Sequence, residues 1–168
     1  MVRCGSKQPY EPLFVCTIFL MKNTYMEIAY KEAVKAFKED EVPIGCVIIK
    51  DGEVIAKAHN KKVKKNCAVF HAEIECLIKA TKKLDNWNLK GCELYVTLEP
   101  CMMCTGVISL ARIRTLCYGT PDPKGGATES LIRVKEIRHI GTYPKEIRSG
   151  LLQSECAAIL QDFFRAKR

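Results

Sequence analysis

Two short stretches, His71-Ala72-Glu73 and Pro100-Cys101-Met102-Met103-Cys104, constrain this chain more than any other feature. Cys101 and Cys104 are three residues apart, so at the start of a helix their thiolates converge on one ion, and Cys-x-x-Cys suits a tetrahedral zinc. A third ligand from His71 leaves the fourth position to water, which marks a catalytic rather than a structural centre. His71 and Glu73 are only two apart and point far round a regular helix from one another. They share a site only if the first turn of their helix faces it end-on. The fold must therefore bring two helix starts, distant in sequence, to one place. Helix N-termini also carry unpaired amides and a positive dipole end, which favours thiolate at both cysteines.

The rest of the chain supplies elements able to do this. Thr24 and Glu27 read as a capping box, and Met26, Tyr30, Ala33, Val34 and Phe37 recur at helical spacing, so 24–39 is an amphipathic helix. Val42 to Ile49 and Val54 to Ala58 are strands joined by an Asp51-Gly52 hairpin turn. Pro43 and Gly45 mark the entry to the first strand as an edge, or as a place where something approaches the backbone. Lys57, His59, Lys61, Lys62, Lys64 and Lys65 make a basic loop ending at Asn66. A solvated face is the ordinary reading of such a run, but this one lies directly upstream of His71. A helix over 71–84 follows, with Ala72, Cys76, Ile78 and Ala80 available for packing. A strand over 92–98, a helix over 101–110 and a strand over 113–118 then imply a crossover with parallel pairing. A short helix is expected around Ser130 to Val134 and an irregular stretch with Gly141 and Pro144. A last helix over 154–165 carries Cys156, Ile159, Leu160 and Phe163 on one face.

Composition narrows the partners. Twenty-seven Lys and Arg against 19 Asp and Glu leave a net charge of +8, which favours an anionic partner such as nucleic acid. Of ten cysteines, only Cys101 and Cys104 have metal-ligand spacing. Cys46, Cys76, Cys92 and Cys117 lie in apolar segments, where the thiol acts as a small hydrophobe. This is the usage of a reducing, cytoplasmic compartment. The apolar run Leu13 to Met21 is too short to span a bilayer and lacks a small-residue cleavage site. Residues 1–20 are therefore expected to be an N-terminal extension, loosely packed or disordered, ahead of one zinc-dependent domain over 21–168.

Taken singly, each site residue has a plainer reading: a structural zinc pair for Cys101 and Cys104, a core histidine for His71, an exposed helix acid for Glu73. His59 is a candidate to close a structural site, though its strand-end position argues against it. The joint pattern argues against all of these.

His-x-Glu followed by Pro-Cys-x-x-Cys is the signature of the zinc nucleobase deaminases, and at these residues the chain resembles the cytidine deaminase-like superfamily, specifically the tRNA wobble-adenosine deaminases. The resemblance runs from about Met26 to Arg165. It is carried also by Glu41-Val42-Pro43-Ile44-Gly45, Ala58-His59-Asn60, Leu94-Tyr95-Val96-Thr97-Leu98-Glu99, Asp122-Pro123-Lys124-Gly125-Gly126, Glu155-Cys156-Ala157-Ala158 and Phe163-Phe164. It implies an α/β fold, a three-layer α/β/α sandwich with a mixed central sheet of about five strands, and a homodimer. The activity implied is zinc-dependent hydrolysis of adenosine to inosine in a tRNA anticodon stem-loop. His71, Cys101 and Cys104 would bind one zinc per subunit, and Glu73 would carry protons from water to the ring nitrogen and the leaving ammonia. Asn60 would hydrogen-bond the target nucleoside, and Asp122 would lie in a loop beside it, though Asn60 at a loop end and Asp122 in Pro-Asp-Pro-Lys-Gly-Gly are also ordinary turn residues. Two departures stand out: Ala68-Val69-Phe70 precedes the histidine where the family usually has Pro-Thr-Ala, and Thr142-Tyr143-Pro144 replaces a frequent Asn-His-Arg. Neither touches the zinc chemistry, but both favour the alternative substrate class, free nucleobases or nucleosides such as guanine or cytosine. A catalytically silent RNA-binding module is the third reading, and Glu73 argues against it.

Overall fold

The Asp51-Gly52 turn folds as its residues dictate. Both have positive φ, 50° and 83°, the type I′ geometry whose twist matches that of the strands it joins. The computed structural model describes residues 12–133, 136 and 143–168, with side chains from Asn23 onward. In it the turn links β1 (Gly45–Lys50) to β2 (Glu53–His59) as an antiparallel pair. β1 also pairs antiparallel with β3 (Glu93–Leu98). From β3 the chain enters α3 (Met102–Leu110) and returns as β4 (Thr115–Thr120), parallel to β3, which is the expected crossover. A fifth strand, β5 (Glu146–Ser149), pairs parallel with β4 inside the stretch expected to be irregular. The sheet order is β2-β1-β3-β4-β5.

Helices cover both faces, as expected for a three-layer sandwich. α2 (Ala72–Leu84) and α3 pack on the face formed by Cys46, Ile48, Leu94, Val96 and Leu116, while α1 (Pro12–Lys38) and α4 (Gln153–Ala166) pack on Val47, Ile49, Tyr95 and Cys117. The alternation of Cys46, Val47, Ile48 and Ile49 between the two clusters is the period-2 pleat of a strand buried on both sides. Cys46, Cys76, Cys92 and Cys117 are buried and unpaired, as hydrophobes.

Three local expectations change. α1 opens at Pro12, a residue the first turn of a helix tolerates, so Thr24 and Glu27 lie within the helix instead of capping it. Its buried stripe is Met26, Ala29, Glu32, Ala33 and Ala36, while Phe37 stays 38% exposed at the rim, against Phe163. Gly45 explains this: a Cβ there would stand 2.0 Å from the Ala29 carbonyl oxygen and 2.5 Å from the Ala33 nitrogen. Helix and strand touch backbone to backbone, which only small residues permit. The approach at Gly45 is therefore the second of the two readings offered above, since β1 is an interior strand. Finally, Ser130–Arg133 form a turn and irregular backbone instead of a helix. The Ser130 amide bonds to the Glu99 carboxylate, and those of Leu131 and Ile132 to the Gly126 carbonyl, so helical partners are not used. Val134, Gly141 and Thr142 lie outside the described residues.

Gly45→Ala forces backbone into backbone, and overpacking of that kind costs about 3 kcal/mol or more. Urea denaturation should give a lower midpoint at an unchanged slope; an unaltered midpoint would mean that α1 does not sit on β1 this closely.

Candidate metal centre

β3 and β4 run in parallel, so their C-terminal ends and the N-terminus of the crossover helix lie at one end of the sheet. α2 starts at that end too. His71 is the residue immediately before α2, with extended backbone at φ −73° and ψ 158°, and Cys101 holds the same place before α3 at φ −72° and ψ 173°. Ser, Thr, Asp or Asn usually occupies that position and caps the helix with its side chain. Here neither side chain makes a capping bond; each turns toward the other helix instead.

The result is a compact donor set. His71 Nδ1 is 3.7 Å from Cys101 Sγ and 3.5 Å from Cys104 Sγ, and the three donor atoms all lie within 4.8 Å of one another. Ligands at zinc's usual bond lengths stand about 3.6 Å apart along a tetrahedral edge. The trio therefore fits such an ion, and it can hold a metal. One of the two thiols is already biased toward binding: a hydrogen bond from Cys104, with help from the His71 ring, pulls Cys101 down to about 4. The same bond, and burial, push Cys104 up, while Cys101 raises His71.

Glu73 stands in the first turn of α2, buried, with its carboxyl against the Cys104 thiol. Its Oε2 has no hydrogen-bond partner among the described residues. Burial raises the carboxyl above its ordinary value, as expected of a desolvated acid that exchanges protons. A buried polar atom without a partner is rare enough to need a reason, and its place beside the donor set supplies one.

Asn60 and Asp122 sit around this centre, not in it. Asn60 follows β2 and is buried; its Nδ2 donates to Glu41 Oε2 at 3.1 Å. The next amide, Lys61 N–H, donates to the Phe70 carbonyl, one residue before His71, which ties Asn60 to the donor set through the backbone. Asp122 is half-buried in a turn, where Oδ1 accepts the Lys124 amide at 3.0 Å and its carbonyl accepts that of Gly126 at 2.8 Å. His59 is taken up elsewhere: Nδ1 lies 3.1 Å from Glu32 and Nε2 3.5 Å from Glu39.

Glu99 is the residue whose role sequence reasoning missed. Only 2% exposed, it accepts the amides of Asp122, Thr128, Glu129 and Ser130 and the Ser130 hydroxyl. Gly126 makes room for it, since a Cβ there would lie 2.4 Å from the carboxyl carbon. Burial alone would raise its carboxyl, but the Ser130 hydroxyl and the amides outweigh that and hold it low. Glu99 thereby pins the Asp122 turn to the strand end that leads into Cys101. A backbone bridge between Cys101 and Gly126 completes the link. The signal was present: an acid at the end of an apolar strand, without the alternation that would turn it to water.

On the α4 side of the same end lies a groove of about 1100 Å³, lined by Leu98, Asp122, Lys124, Phe164, Arg165 and Arg168 among others. None of His71, Glu73, Cys101 or Cys104 lines it, so the chemistry sits beside the groove and not within it.

Residues 21–168 match the MafB19-like deaminase family. The tRNA-specific adenosine deaminase of Agrobacterium fabrum is 49% identical over 144 residues, covering 86% of this chain and 94% of that protein. That of Streptococcus pyogenes is 42% identical over 150 residues, covering 89% and 94%. A solved structure from work on A-to-I editing by tRNA:A34 deaminases at the wobble position superposes with a TM-score of 0.79 at 47% identity, covering 82% of this chain and 99% of its own. The chain belongs to this deaminase family.

Replacing Glu99 with Gln keeps the shape but loses the charge that four amides and a hydroxyl share, at a cost of about 1.5–3 kcal/mol. Because the folded carboxyl lies below its ordinary value of 4.5, its contribution is complete above that value and disappears as pH falls through the lower, folded one. Wild type and E99Q should differ most in denaturation midpoint above pH 5 and converge on acidification; a gap that widened in acid would reverse the assignment.

Proposed function

We propose that this deaminase converts adenosine to inosine at the wobble position of a tRNA anticodon, with one zinc per subunit held by His71, Cys101 and Cys104. The observation that carries the reading is the unpartnered Oε2 of Glu73, buried against a three-donor set that leaves a fourth position open. Zinc in that set would supply acidification of water toward neutral pH. Glu73 accepts a proton from the attacking water and delivers it to the ring nitrogen beside C6; it then takes the second proton from the hydroxyl now on C6 and passes it to the departing amino group, so that ammonia leaves and C6 keeps the oxygen as a carbonyl. Asn60 holds the nucleoside, and the Asp122 turn, pinned by Glu99, borders it.

Three observations favour RNA over a free base. The two tRNA-specific relatives match this chain over nearly the whole of their own length. The basic loop carrying Lys61, Lys62, Lys64 and Lys65 flanks Phe70 and His71, with Lys65 5.5 Å above the Phe70 ring. The groove beside the donor set mixes Lys124, Arg165 and Arg168 with the half-exposed ring of Phe164, an arrangement suited to phosphates and an unstacked base. A homodimer belongs to the same proposal: Met102, Gly106 and Leu110 form one outer stripe of α3, with Met102 55% and Leu110 72% exposed. A tRNA substrate makes the cytoplasm the place of work, and no helix among the described residues is long and apolar enough to cross a membrane.

The test is to incubate zinc-loaded protein with a tRNA anticodon stem-loop and, separately, with free bases and nucleosides. Inosine in the RNA is expected. Ammonia from the free substrates alone would overturn the tRNA reading, and salt-sensitive RNA binding without turnover would overturn the enzyme. Glu73→Ala should lower kcat by about 10²–10⁴-fold while zinc content stays at one per subunit. Cys104→Ser should lose the zinc itself, read by elemental analysis.

A further inference from the structure

Asn60 is held unusually tightly for a residue at the end of a strand. Its own amide donates to the Ile44 carbonyl at 3.0 Å, and the following amide donates to that of Phe70 at 3.0 Å. The main chain is thus tied both to β1's approach and to the segment entering His71. The freedom left to the side chain that matters for recognition is a half-turn of its amide, which exchanges oxygen for NH2. Those two groups offer opposite chemistry, an acceptor against a pair of donors.

Glu41 decides between them. Its side chain is buried with no exposed surface, and both carboxylate oxygens are engaged: Oε2 receives Asn60 Nδ2 at 3.1 Å and Oε1 receives the Lys64 amide at 2.7 Å. A carboxylate has nothing to donate, so a reversed Asn60 would set its oxygen against another acceptor in a buried place. We propose that Glu41 is a positioning residue that fixes which way the Asn60 amide faces, and through it the donor and acceptor order the site presents to the target nucleoside. This rests on the reading above in which Asn60 touches that nucleoside. Glu41 does not contact the substrate; it acts through Asn60, and through Lys64 it ties the basic loop to the same carboxylate.

The bond from Lys64 makes the proposal sharp. Its amide is an obligate donor, so a glutamine at 41 must turn its oxygen to Lys64 and its NH2 to Asn60. Asn60 can then answer only with its oxygen. Glu41→Gln therefore inverts the Asn60 amide while keeping volume and both hydrogen bonds, and the nucleoside meets a donor where an acceptor stood. A site whose polar groups no longer match the substrate discriminates strongly against it.

The experiment is a double-mutant cycle on kcat/KM with the anticodon stem-loop, using wild type, E41Q, N60A and E41Q/N60A, with zinc content and thermal midpoint recorded for each. E41Q should lower kcat/KM by about 10- to 100-fold with zinc retained, and within the N60A background it should cost less than about threefold more. Equal losses from E41Q in both backgrounds, or wild-type kcat/KM for E41Q or for N60A, would overturn the proposal. Absence of inosine with wild type would instead reject the tRNA substrate, and the cycle would then be read on whichever nucleoside or base is turned over. Should E41Q fail to fold, the wild-type protein still decides. Its Asn60 side-chain NH2, assigned by loss of the signal in N60A, should show one proton shifted far downfield by the carboxylate. An unshifted pair would overturn the assignment.

Discussion

Two helices in this protein begin on residues that leave them uncapped, and the rest of the catalytic end is arranged around that. His71 and Cys101 occupy the positions where a short polar side chain would ordinarily satisfy the first amides of α2 and α3. Each missing cap costs about 1 kcal/mol. In exchange both side chains are free to meet across the gap between helices, and the uncapped amides leave a positive end facing the thiols. Both effects favour thiolate at the place where a cation is to be held. The β3-α3-β4 crossover makes the meeting possible, since parallel strands require the intervening helix to begin where the first strand ends.

Buried carboxylates then divide the work at this end of the sheet. Glu99 is saturated with donors and is structural: it organises the turn that carries Asp122 and leaves nothing over for a ligand. Glu41 is satisfied by two donors, one of them the Asn60 side chain. Glu32 is paired with Lys35 and His59, which keeps that histidine away from the donor set. Glu73 alone among these four keeps an oxygen unpartnered. A buried charge is costly in proportion to what it lacks. The acid with the least compensation is also the one beside the ligands, as expected where stability is given up for chemistry.

The two faces of the sheet serve different ends. On one, α2 and α3 bring the donors; on the other, α4 and the 120–124 turn form the basic groove. The faces communicate at Cys101, which is bridged to Gly126 through backbone while Glu99 holds the amides on either side of that glycine. The groove and the donor set are thereby joined through one backbone link at the strand ends.

Much of this was legible in the residues. Spacing marks Cys101 and Cys104 as a ligand pair, because a three-residue spacing is local; the deaminase signature joins them to His71 and Glu73, and the two-residue step between those two then requires their helix to face the site end-on. The apolar run Val42 to Ile49, the Asp51-Gly52 turn and the crossover were readable because each is set by residues close together in sequence. Tertiary packing decided what depends on distant partners. β5 is four residues long and polar, and only its pairing with β4 makes it a strand. The buried stripe of α1 is set by the close approach at Gly45, and the expected helix near Ser130 yields to a carboxylate thirty-one residues earlier in the chain. Which nitrogen of His71 faces the thiols, and which way Asn60 is held, are likewise invisible in a string of letters. They depend on which atoms fold brings within 4 Å of one another.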